Sequence, residues 1–266
     1  MTGLHHTGRR RIKRALNMSG GKIERDAEGR EGSTSLALTR AQWAIAVPLV
    51  YAAVALTVLE YFARPDFYAR YFPVASRELF GLYPHLWWAG CTITLFLLVP
   101  AAIVKFGFRK PLREYGLNLQ IRRRHLGLYL LMFAAVLPLV FVAAARPEFQ
   151  ATYPFYRGAF QAGIGAIALW ELAYLSQFVA LEFFFRGFLV LGLSRLLGRA
   201  AIWVAVVPYC MIHFHKPPLE AFAAIVAGLV LGEVAWRTRS ILGGVIVHVG
   251  VAASMEWLAL AAAGRI

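Results

Sequence analysis

The feature that most limits what this chain can become is a series of apolar stretches, most of them close to the roughly 20 residues a helix needs to cross the hydrocarbon core of a bilayer. They read 41–63, 85–104, 125–145, 159–197, 200–215, 218–236 and 240–262. All are continuously apolar instead of alternating, and a bilayer accepts only helices or closed barrels as spanning structures. The expectation is an all-α, polytopic transmembrane helical bundle of seven spans, or eight if 159–197, too long for one simple span, breaks. Composition agrees, because 59% of the 266 residues are hydrophobic and only 16% charged, against roughly 25% charged in a soluble domain. Three regions follow: a basic tail over 1–40, expected to be disordered and cytoplasmic; N-terminal transmembrane helices over 41–157; and a helical core over 158–266.

The formal net charge of +14 raises the question of nucleic acid, and the placement of the charge answers it. With alternate sides taken from an inner start, 21 of the 28 Lys and Arg residues fall on the inner side. That asymmetry is the positive-inside pattern of a multi-pass protein in the cell (inner) membrane with a cytoplasmic N-terminus. The basic charge therefore orients the chain in lipid, and no nucleic-acid partner is expected. No cleavable signal is visible, since no apolar core follows the basic start closely, so the first span is expected to act as an uncleaved anchor. Cys91 and Cys210 both lie in apolar runs and read as small hydrophobes without a disulfide.

An ionisable group at mid-bilayer costs on the order of 2.5–3.5 kcal/mol on insertion scales and is a functional candidate by default. Those that qualify are Glu171, Glu182, Arg186, His213, His215, Glu233, His248 and Glu256. Measured along helices entering from the same side, Glu182 comes to roughly 20–24 Å of depth, His213 to roughly 21 Å and His248 to roughly 12 Å, a difference that tilt absorbs. Three helices can thus bring one carboxylate and two imidazoles to one level. The plainer reading is that Glu182 and Arg186, four residues apart, are an internal ion pair, and that each histidine is a packing residue.

The segment Leu181-Glu-Phe-Phe-Phe-Arg-Gly-Phe-Leu189 resembles the CPBP family, the CAAX-protease and bacteriocin-processing (Abi-like) group of intramembrane proteases. That family carries a Glu-Glu-x-x-x-Arg helix, an aromatic-x-x-x-His helix and a His-x-x-x-Asn/Asp helix. The second is similar to Tyr209-Cys-Met-Ile-His213, with Tyr where Phe is usual, and the run from Gly228 to His248 looks like the link into the third. The resemblance covers about 160–256. Two positions depart from it: Leu181 stands where the family has the Glu assigned to activate water, and Ala252 stands where it has an amide or acid.

The resemblance implies an intramembrane endopeptidase that acts on a peptide or membrane-anchored protein substrate, with membrane lipid as its surroundings. Peptide hydrolysis needs an activated water, a proton donor for the leaving amine and donors for the oxyanion. On that basis the expected catalytic residues are Glu182 as base, His213 orienting the water and His248 facing the oxyanion, with Arg186 and Tyr209 in support. No cofactor is expected, although Glu182, His213 and His248 also make up a His2Glu zinc set. Two alternatives stay open: a catalytically inactive CPBP-like membrane scaffold, suggested by Leu181 and Ala252, and a proton-coupled transporter, for which no internal repeat is visible.

Overall fold

The computed structural model describes residues 38–118 and 123–262; the expected disordered tail lies almost wholly outside them. By contacts the chain separates into Met1–Trp43 and Ala44–Ile266. Of the first unit only the start of a helix is described. There Thr39 Oγ1 accepts from the backbone of Gln42, while Gln42 Oε1 accepts from the Thr39 amide at 2.8 Å. This reciprocal capping box satisfies two of the donors that a helix N-terminus leaves open.

The described residues are helical, and strands are absent among them. In order, α1 is Arg40–Phe62, α2 Pro65–Tyr71 and α3 Leu82–Ile93, the last continued through Thr94–Leu98 and Val99–Ala102 to Ile103–Gly107. Then come α4, Arg123–Ala144; α5, Pro147–Thr152; α6, Ala159–Ala162; and α7, Ile164–Glu182, which runs on through a widened π-helical stretch, Phe183–Leu191, into Gly192–Leu197. The chain ends with α8, Ala200–Met211; α9, Pro218–Thr238; and α10, Leu242–Ala262.

Six of these segments are long and apolar enough to cross a membrane: Arg40–Phe62, Ala75–Gly107, His125–Ala144, Ile164–Leu197, Pro218–Thr238 and Leu242–Ala262. Two sequence expectations change here. The break that an eighth span requires is absent, because Ile164–Leu197 continues without interruption. The stretch 200–215 yields only the 12-residue α8, about 18 Å of helix, which is short of the roughly 30 Å hydrocarbon core.

The π-helical stretch of α7 is buried on every side, from Phe183 to Leu191. A helical stretch apolar at every position but Arg186 belongs at the centre of its bundle. Phe184 stacks on Phe96 of the α3 continuation at 4.4 Å, Phe188 meets Tyr51 of α1 edge-on, and Ala201, Ala205 and Ala224 close the cluster from α8 and α9. The small residues Ala224, Gly228 and Gly232 of α9 are buried. A Cβ added at Gly228 would lie 3.0 Å from Tyr209 and Val206, and one at Gly232 would lie 2.8 Å from Ile202. The stripe expected from spacing thus lets α8 and α9 approach at backbone distance, as small residues do in membrane bundles.

Polar contacts tie off both ends of the second unit. At one end Arg195 binds Glu114 at 2.6 Å, Ile241 N–H donates to Gly116, and Asn118 donates to the Arg239 carbonyl. The guanidinium holds the Glu114 carboxyl below the usual carboxylate range. At the other end Tyr153 donates to Glu220, Lys216 pairs with Glu220 at 2.6 Å, and Phe155 N–H donates to Glu256. Burial first, and then the neighbouring Glu220 charge, push the Tyr153 phenol well above its ordinary value.

Candidate active site

The long α7 element delivers Glu182 and Arg186 one turn apart on one face, α8 delivers Tyr209, the turn after it His213, and α10 delivers His248. The Glu182 carboxylate is fully buried. Its Oε1 accepts from His248 Nδ1 at 2.8 Å and lies 3.0 Å from an Arg186 guanidinium nitrogen. A buried carboxylate needs such partners, since an unpaired charge in this setting is strongly unfavourable. Its other oxygen, Oε2, is buried without a hydrogen-bond partner and packs against the Cα of Gly244. No side chain larger than glycine fits there while the carboxylate keeps its place.

Tyr209 is the hub of the site. Its ring lies under the Arg186 guanidinium, with 4.1 Å from carbon to ring centroid, a cation–π contact that spreads the cation's charge over an apolar wall. Its hydroxyl is 3.2 Å from His248 Nε2, and its backbone carbonyl is 2.9 Å from His213 Nδ1. Acceptors fix the tautomers: a carboxylate and a carbonyl can only accept, so Nδ1 carries the proton in both neutral rings. His248 Nε2 is then an acceptor, and Tyr209 donates to it. The result is an unbroken series, hydroxyl to imidazole to carboxylate to guanidinium, built from α8, α10 and α7.

The structure brings together four of the five expected site residues: Glu182, Arg186, Tyr209 and His248. His213 joins through Tyr209, whose ring it meets at 5.0 Å. His248 was expected to face the oxyanion, yet both of its ring nitrogens are engaged within the site. Three other sequence candidates lie elsewhere. His215 is exposed and pairs with Glu60 at the end of α1, Glu233 sits near the end of α9 between Arg199 and Arg237, and Glu256 holds the Phe155 amide. Glu171 has one buried oxygen without a partner. Leu181 packs on the central aromatic cluster and Ala252 on the cluster of Trp170 and Tyr174, so neither position adds a polar group. Gly244 was missed; its signal was the Gly243-Gly244 pair opening α10, too common a pattern in membrane helices to single out.

The alternative zinc set, Glu182, His213 and His248, is not drawn together into a ligand group. Among the described residues no three His, Cys, Asp or Glu side chains are grouped so as to hold a metal ion. Glu182 Oε1 already faces the Arg186 cation, and a second cation beside it would be repelled.

The family model for type II CAAX prenyl endopeptidase Rce1-like proteins matches residues 155–254, from the loop before α6 to beyond His248. Residues 155–254 resemble this family. The matched segment contains every residue of the site just described, and the family is one of membrane proteases that act on peptide bonds. The helices α1 to α5 lie before the match. No curated protein and no solved structure matches the chain.

Proposed function

We propose that this Rce1-like protein is an intramembrane endopeptidase that hydrolyses a peptide bond with a water activated by the Glu182–His248 pair, without a metal. The observation that carries the reading is the 2.8 Å bond from His248 Nδ1 to a fully buried Glu182. A carboxylate in this position holds the imidazole in one tautomer and orientation, with Nε2 as the nitrogen that takes up a proton. Arg186 pairs with the same carboxylate from one turn along α7. His213 offers its Nε2 lone pair to orient the water. This moves His248 from the oxyanion role expected from sequence to the proton path.

The substrate class follows from the family description: a prenylated peptide with a CAAX ending, presented at the membrane. The reading also keeps seven crossings with the N-terminus inside. It is supported by the pairing of ends, since each contact between loops joins segments that alternate crossings put on one side: Glu114 with Arg195, Asn118 with Arg239, Tyr153 with Glu220 and His215 with Glu60. Short α8 and its turn run beside α9 from Glu233 back to Glu220, as a compact crossing would.

The test is a cleavage assay on the purified full chain in liposomes with a farnesylated CAAX-type peptide. Wild type should cleave it and His248→Ala should not. An inactive wild type would favour the scaffold reading, which the apolar packing of Leu181 and Ala252 supports.

A further inference from the structure

We infer that the hydroxyl of Tyr209 is a catalytic proton carrier, standing between His248 and the reacting water and leaving amine. The inference rests on the endopeptidase reading above. It starts from a count of free positions on His248. The Nδ1 proton is given to Glu182 Oε1 at 2.8 Å, and the Nε2 lone pair takes the Tyr209 hydroxyl at 3.2 Å. Both nitrogens are thus taken by the protein. A proton leaving a substrate water reaches this imidazole by way of the phenol oxygen, which has lone pairs to accept it.

The surroundings suit that task. The phenol ring is pressed against the Arg186 guanidinium at 4.1 Å, so the charge that gathers on the phenol oxygen in transit is met by a neighbouring cation. Edge contacts with Phe185 and His213 hold the ring, and Gly228 of α9 leaves the space it occupies. The hydroxyl is therefore fixed in direction, which a carrier requires if each transfer is to run over one hydrogen bond.

The steps balance. As the water oxygen forms its bond to the scissile carbonyl carbon, the carbonyl π pair moves to oxygen. The water proton passes to the Tyr209 oxygen while the Tyr209 proton passes to His248 Nε2, giving an imidazolium paired with the Glu182 carboxylate. When the oxyanion pair returns and the C–N bond breaks, the leaving nitrogen takes a proton from Tyr209. Tyr209 recovers its proton from His248 Nε2, and the site is restored with one water consumed.

The test is Tyr209→Phe, which removes only the oxygen and leaves the ring on Arg186 and His213. In liposomes with the farnesylated peptide, kcat should fall by about 10²-fold or more, the usual share of an acid–base group, with KM within about twofold and the melting midpoint retained. In protein labelled with 15N at histidine, the Nε2 resonance of His248 should move on this substitution, because it loses its donor. Wild-type kcat in Tyr209→Phe, or an unmoved Nε2 resonance, overturns the carrier. If His248→Ala is inactive while Tyr209→Phe is not, the endopeptidase reading stands and the carrier falls. If wild type itself does not cleave, both fall.

Discussion

The sharpest structural consequence concerns Gly244, a residue with no chemistry of its own. A Cβ built there would overlap Glu182 Oε2 and lie 2.6 Å from its Cδ. Restoring ordinary carbon contact, near 3.5 Å, moves the carboxylate by about 1 Å. The carboxylate is held through Oε1 by His248, one turn beyond Gly244 on α10, and by Arg186, so pushing it off α10 stretches a 2.8 Å hydrogen bond beyond useful reach. The cost of Gly244→Ala therefore lies between the ~1–3 kcal/mol of overpacking and the ~3–5 kcal/mol of a broken buried pair. At roughly 2–4 °C per kcal/mol for a chain of this size, the melting midpoint in detergent should drop by several degrees, and peptide cleavage should fall with it. Gly127→Ala in α4, where nothing lies within 4 Å of the added Cβ, is the control. It should be neutral or stabilising by about 0.5–1 kcal/mol. Equal midpoints and equal cleavage in the two variants would refute the claim that Glu182 is held in a space only glycine leaves open.

Three further outcomes are expected. Gly228→Leu should lower the melting midpoint, because its side chain meets Tyr209 and Val206 where even a Cβ lies 3.0 Å away; an unchanged midpoint counts against close packing of α8 on α9. Incubation with a strong chelator should leave cleavage intact, whereas loss restored by zinc would revive the His2Glu set. Reporter fusions after Arg30 and after Ile266 should fall on opposite sides of the membrane, and the same sidedness would mean that α8 does not cross.

Much of this was legible in the sequence because the bilayer writes in a coarse code. Continuous apolar runs mark spans whatever packs beside them, which is why α1, α4, α9 and α10 fall where expected. The charged residues inside those runs were equally visible, and helical rise brought Glu182 and His213 to one level, with tilt needed to add His248. What rise does not give is rotation about the helix axis or the true end of a helix. His215 and Glu233 fall in apolar runs yet sit at helix ends, paired with Glu60 and with Arg199 and Arg237. The part of Tyr209 was hidden for a similar reason. Its hydroxyl gains meaning only from His248, 39 residues on, and its ring only from Arg186 on another helix. Spacing offers no sign of either contact.

The central claim is that Glu182, buried and bound to His248, drives peptide hydrolysis, and Glu182→Gln in the liposome assay tests it most directly. The variant keeps the shape of the side chain and removes its charge. Because Arg186 then lacks its partner, the melting midpoint is measured on the same preparation, and Glu182→Gln/Arg186→Met, which removes both charges, is assayed beside it. The account predicts that wild type cleaves the farnesylated peptide, that both variants are inactive with at least one of them folded, and that Glu171→Gln, about 16 Å away along the helix, keeps most of the activity. Cleavage by a folded variant lacking the Glu182 carboxylate would contradict it.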